Sequence, residues 1–158
     1  MQKSKRLLAI MAVMLVAALV VPVIAQAATI YVNSGVSGAK LGMRTSAAVK
    51  KLGKVKKTFR DPNYDGVVYA RCFGKKSHGR YALTITSNSR GRVIAFVINS
   101  SRYRTKKAMR VGSSLAALKK AYGSKLVNKS DYWRLKSKSG ETWFWISGGK
   151  VTSIWIWK

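Results

Sequence analysis

Residues 141–158, ETWFWISGGKVTSIWIWK, constrain the fold more than any other stretch of the chain. Two alternating apolar runs flank Ser147-Gly148-Gly149-Lys150, and the glycine pair supplies the positive φ that a two-residue hairpin turn requires. Side chains of a strand alternate between the two faces of its sheet. Phe144, Ile146, Ile154 and Ile156 therefore share one face, and Trp143, Trp145, Trp155 and Trp157 share the other. The aliphatic face is what a core uses. Four indoles on the opposite face form either a second buried face or an exposed binding surface.

Upstream, residues 29–33 read as a short strand and 34–40 as a glycine-containing loop. Residues 41–53 then predict a helix, with Thr45 or Ser46 as N-cap and Ala48, Val49 and Leu52 as its apolar stripe. Residues 110–123 have the same design: Ser113 caps, Leu115, Leu118 and Tyr122 line one side, and Gly123 stops the helix. Val49-Lys50-Lys51 and Leu118-Lys119-Lys120 align, each after an Ala-Ala pair, which marks an internal repeat.

Strands are expected at 67–73, 80–86 and 92–99 after the first helix and at 132–138, 142–147 and 151–157 after the second, with further strands at 55–59 and 126–127. The expected fold is α+β: two αβββ repeats, 41–105 and 106–158, forming an antiparallel sheet with helices packed on one face. Its inward set is Val68, Ala70, Cys72, Leu83, Ile85, Ile94, Phe96, Ile98, Trp133, Leu135, Phe144, Ile146, Ile154 and Ile156. The other face collects Tyr69, Arg71, Ala82, Thr84, Ala95, Val97 and Asn99 from the first unit. Tyr132, Arg134, Lys136 and the four tryptophans come from the second.

Charge narrows the partners. The 158 residues hold 31 Lys+Arg against four acids, a net charge of +27. Such a surface repels itself and attracts anions: nucleic acid, anionic lipid, an acidic wall polymer or an acidic protein. At the N-terminus, Lys3, Lys5 and Arg6 precede an apolar run over 7–21, and Ala25-Gln26-Ala27 fits a small-x-small cleavage site. Residues 1–27 thus read as a cleaved export signal, 28–40 as an N-terminal strand and loop, and the protein as secreted or cell-surface. An uncleaved membrane anchor is the rival reading, although the run is short of the ~20 residues a span needs. With Cys72 as the one cysteine, no intramolecular disulfide can form, and it reads as a small core residue.

Catalysis needs placed acids, bases or nucleophiles. His78 is the one histidine and falls in a basic turn; the four acids form no carboxylate pair, and no zinc ligand set is present. Asp61-Pro62-Asn63-Tyr64-Asp65-Gly66 matches the first half of a calcium loop, but Cys72 stands where the bidentate glutamate belongs, so it reads as a turn. The expectation is a non-enzymatic protein without metal or cofactor.

Val111-Gly112-Ser113-Ser114-Leu115, running to Ala121-Tyr122-Gly123 before short antiparallel strands, resembles the repeat of the β-lactamase inhibitory protein family and of related small outer-membrane lipoproteins. The resemblance covers most of 41–158 and implies a concave sheet, formed by two repeats, whose aromatic-rich face grips a partner protein. This chain departs from the family in lacking its disulfides, in its basic charge, in having no lipid-anchoring cysteine after the signal, and in carrying Met43-Arg44 where the second unit has Gly112-Ser113.

These readings converge on an exported, strongly cationic binding protein. Its Trp/Arg/Lys-rich sheet face would be Trp143, Trp145, Trp155, Trp157, Tyr132, Arg134, Lys136, Tyr69 and Arg71. The expected partner is an anionic polymer (wall polymer, anionic lipid surface or extracellular nucleic acid) or an acidic protein. The alternatives are an inhibitor of an exported enzyme and a cover over the indoles, supplied by the N-terminal strand, by the loop 100–107 or by a homodimer.

Overall fold

The computed structural model describes residues 28–61 and 68–158. The expected export signal at 1–27 and most of the expected 61–66 turn lie outside the described residues. In chain order the elements are β1 Ala28–Tyr31, β2 Gly35–Val36, β3 Ala39–Lys40, α1 Thr45–Leu52, β4 Val55–Arg60, β5 Tyr69–Ser77, β6 Arg80–Ser87 and β7 Val93–Ile98. They continue as β8 Tyr103–Thr105, α2 Leu115–Tyr122, a 3-10 turn, β9 Val127–Asn128, β10 Tyr132–Ser137, β11 Gly140–Ser147 and β12 Lys150–Trp157.

The α+β class and the antiparallel sheet are as expected. Each helix is followed by four strands of the large sheet, the fourth in each set being the edge strand β4 or β9 near the further strands expected at 55–59 and 126–127. The large sheet runs β4-β5-β6-β7-β12-β11-β10-β9, so the two four-strand sets meet at β7 and β12. Ile98 opposes Ile154, and Phe96 opposes Ile156 across that seam. A second, four-stranded sheet, β3-β2-β1-β8, was not legible beforehand.

Each helix is tied to the turn between the last two strands of its own set by the same three backbone bonds. Gly42 N–H donates to the Val93 carbonyl at 2.7 Å, and Gly112 N–H to the Val151 carbonyl at 2.8 Å. Val93 and Val151 donate back to Met43 and Ser113, both at 2.9 Å. Thr45 and Leu115 N–H donate to the Gly91 and Gly149 carbonyls, both at 2.8 Å. In this register Gly42, not Met43, stands where Gly112 stands, and both glycines have positive φ, so the two helix starts share their backbone geometry and differ in the cap. The caps also differ from expectation. Arg44 occupies the N-cap of α1 without a side-chain bond, while Thr45 Oγ1 donates to Gly91. Ser114, not Ser113, caps α2 by accepting from Ala117 N–H.

One core joins these layers. Leu83, Ile85, Phe96, Ile98, Phe144, Ile154 and Ile156 are fully buried and cluster with Ala48 of α1, Leu118 of α2, and Ile30, Val36 and Ala39 of the small sheet. Tyr122 of α2 lies 5.7 Å from the Phe144 ring, which puts the helix over the aliphatic face. The small sheet sits on the same side: Asn33 N–H donates to Thr142 Oγ1, and Thr142 opposes Ile156. Trp133 opposes Phe144 and lies under α2, with the Lys119 ammonium 4.7 Å from its ring.

Two substitutions check this packing by denaturant titration. A Cβ on Gly140 would overlap the Trp157 carbonyl and crowd Leu41, so Gly140→Ala is expected to cost about 1–3 kcal/mol, the range for overpacking. Ser114→Ala, which removes the α2 cap, is expected to cost about 0.5–2 kcal/mol.

Candidate binding face

The face turned away from the helices is built by alternation. Trp143 opposes Trp155, Trp145 opposes Ser153, and Glu141 opposes Trp157 across β11 and β12. Tyr132 opposes Trp145 and Arg134 opposes Trp143 across β10 and β11. At the seam, Trp155 opposes Val97 and Trp157 opposes Ala95. Four indoles and a phenol are thereby forced onto one surface.

These rings touch. Tyr132 stacks on Trp143 at 4.4 Å between centroids, and Trp143 and Trp157 lie 5.2 Å apart. Trp155 is 5.6 Å from Trp157 and 5.4 Å from Trp145. Tilted aromatic pairs at such spacing are attractive beyond their area. All five rings are half-buried, so they form a tiled platform with its outer surface open.

Glu141 organises one end of the platform. It accepts from Trp143 Nε1 at 3.0 Å and pairs with Arg134 at 3.6 Å and with Lys136 at 3.4 Å. The Trp143 N–H, more than either cation, holds its carboxyl below the ordinary glutamate pKa, against a smaller upward push from burial. At the other end, Trp155 Nε1 donates to Ser153 Oγ at 3.0 Å. Trp145 Nε1 is buried with no acceptor among the described residues.

A hollow lies at each end. Trp143 and Trp157 line one of about 480 Å³, with Lys136, Glu141 and Lys158 at its edge. Trp145 and Trp155 line another of about 630 Å³, with Phe59, Val97, Arg80, Asn99, Thr152 and Ser153. Phe59 on β4 and Trp145 on β11 are five strands apart, about 24 Å across a flat sheet at ~4.8 Å per strand. That they line one hollow means the sheet curls toward the indoles.

Two expected site residues are not on this face. Arg71 opposes Ile85, and Phe73 opposes Leu83, so Tyr69, Arg71 and Phe73 point to the helix side. Arg71 donates to Ser87 Oγ there, and Tyr69 is exposed. Cys72 and Ala70, expected inward, oppose Thr84 and Thr86 and belong to the indole side. Both are nonetheless buried, and burial pushes the Cys72 thiol pKa up. Phe59 and Arg80, which sequence reasoning left out, stand in their place. Neither segment proposed as a cover lies over the indoles: β1 and β8, from the N-terminal strand and the 100–107 loop, pair with each other on the helix side.

No family model matches this chain, and no curated protein matches it. Among solved structures, it is similar to the uncharacterised protein YfeY from Escherichia coli. The TM-score is 0.51 at 12% identity, covering 80% of this chain and 95% of that one. It is also similar to an extracellular protein containing a SCP domain from Bacillus anthracis str. Ames. There the TM-score is 0.57 at 6% identity over 75% of this chain, which spans 44% of that protein. At such identities the likeness is one of fold.

Glu141 gives a pH test. Its lowered pKa means its contribution to stability is present at and above the ordinary glutamate pKa and is lost as pH falls through the lower folded value. Glu141→Gln is therefore expected to destabilise by at most about 1 kcal/mol at neutral pH, since its partners are partly solvated. The gap to the parent should close in acid, as read by denaturant titration across pH.

Proposed function

We propose that this is an exported, non-enzymatic binding protein whose indole face holds an anionic surface polymer, best matched by an acidic polysaccharide. One observation carries the reading: two hollows, one with Lys136 and Lys158 and one with Arg80, flank a continuous platform of four indoles. A platform open at both ends suits a chain that continues past the site. Flat ring faces stack on sugar rings or bases, and cations at either end take the acidic groups. Asn99, Thr152 and Ser153 offer hydrogen bonds to a hydroxyl-rich unit in the larger hollow. Export rests on the N-terminal sequence pattern, and the net charge of +27 adds general attraction to an acidic envelope.

The curled sheet with helices on its outer side also supports the resemblance to the β-lactamase inhibitory protein family and the view of the chain as two repeats, each carrying its helix on matched backbone bonds. The second reading, an inhibitor of an exported enzyme, draws on the same platform, because clustered Trp and Arg anchor protein interfaces.

Indole fluorescence during titration with polygalacturonate tests the first reading. The emission should shift, binding should weaken steeply with added salt, and Trp155→Ala should cost about 1–3 kcal/mol, the range for stacking one unit on one ring. Binding that leaves the emission and the Trp155→Ala affinity unchanged would sink it. Tight, salt-tolerant capture of an exported enzyme would favour the inhibitor instead.

A further inference from the structure

A further cavity lies on the helix side of the large sheet, where β1 meets the C-terminal end of α2, apart from the indole face. Its volume is about 630 Å³, within the roughly 300–1,000 Å³ of small-molecule sites. Tyr31, Val32 and Tyr122 wall it over the buried Ile30, and Lys40, Lys106 and Lys107 stand around it. Among the described residues its lining contains no carboxylate.

The three lysines are not equivalent. Lys107 is held in place: its ammonium donates to the Ala121 carbonyl near the end of α2 and lies 5.2 Å from the Tyr122 ring. Lys40 and Lys106 are exposed, on β3 and just after β8. Burial raises the Tyr122 phenol pKa, with the Thr105 hydroxyl pulling the other way. The phenol therefore stays neutral at ordinary pH and brings no negative charge to offset the lysines.

An apolar hollow ringed by cations has a definite complement. A purely apolar guest would leave the ammonium groups without a counter-charge, and a small free anion would leave the apolar walls wet. We propose that this cavity binds a single-chain anionic amphiphile, with an acidic head at Lys40, Lys106 and Lys107 and an acyl body against Tyr31, Val32 and Tyr122. Each buried methylene strengthens binding by about fourfold, so affinity should grow with chain length. The site is independent of the indole face and does not rest on the function proposed for it.

Calorimetric titration of the full chain with dodecanoate, below its micellar concentration, tests this. One saturable site is expected, with octanoate weaker, and with neither acetate nor dodecyltrimethylammonium binding there. Lys40→Ser with Lys106→Ser should weaken dodecanoate about tenfold, the scale of one lost charge-assisted hydrogen bond. Lys75→Ser with Lys76→Ser, which removes the same charge from the β5–β6 hairpin, should change it less than about twofold. Thermal melts of both double variants confirm that they fold. Equal losses in the two double variants would mean diffuse charge attraction and overturn the proposal. So would affinity independent of chain length. Absence of a saturable site would overturn it too.

Discussion

The antiparallel pairing of β7 with β12 is the constraint on which both faces of the large sheet depend. It sets Ile98 against Ile154 and Phe96 against Ile156 on one side, and Val97 against Trp155 and Ala95 against Trp157 on the other. The first pairs continue one aliphatic surface from β6 to β11, which a single core can cover. The second pairs bring small side chains beside large indoles, and so leave a hollow next to Trp155. A slip of one residue at this seam would exchange the two sets and bury tryptophan under the helices.

Backbone bonds decide which side the helices take. Because each helix start is bonded to the turn just before the last strand of its set, its position over the sheet does not rest on side-chain packing alone. Ala48 and Leu118 then fill the aliphatic surface at close range. The small sheet completes the cover with Ile30, Val36 and Ala39. With that side closed, the curl of the sheet is directed toward the indoles. Residues without bulk on that side, Ala70, Cys72 and Ala95, become buried although no helix lies over them. A strongly cationic exterior tolerates this arrangement because its lysines and arginines extend from helices and turns into solvent, where their mutual repulsion is screened.

The hairpin at the C-terminus was the most legible part of the chain. Its glycine pair has positive φ at both Gly148 and Gly149, and its two alternating runs leave one consistent assignment of faces. β5 was the least legible. Its residues offer Ala70 and Cys72 on one side and Tyr69, Arg71 and Phe73 on the other, and neither set is clearly the apolar one. Phe73, opposite Leu83 and Val55, takes the core position and carries Arg71 with it. The irregularity between Phe73 and Lys76 then lets the rest of the strand leave that register. Phe59 and Arg80 were invisible as site residues because each belongs to the hollow only once the sheet has curled. β2, β3 and β8, at two or three residues each, are too short to carry a periodic signal.

By itself, the sequence determined the elements that local chemistry controls: the alternation that separates aliphatic side chains from indoles, the glycine turn between them, two short helices stopped by glycine, and an excess of cations. Tertiary structure decided everything that depends on long-range register. That includes the seam joining the two strand sets, the side to which Arg71 and Cys72 turn, the burial of the small sheet against the core, and the meeting of Phe59 with Trp145. The physical reason is that alternation specifies two faces but not which one is covered. Only partners distant in the chain remove that ambiguity.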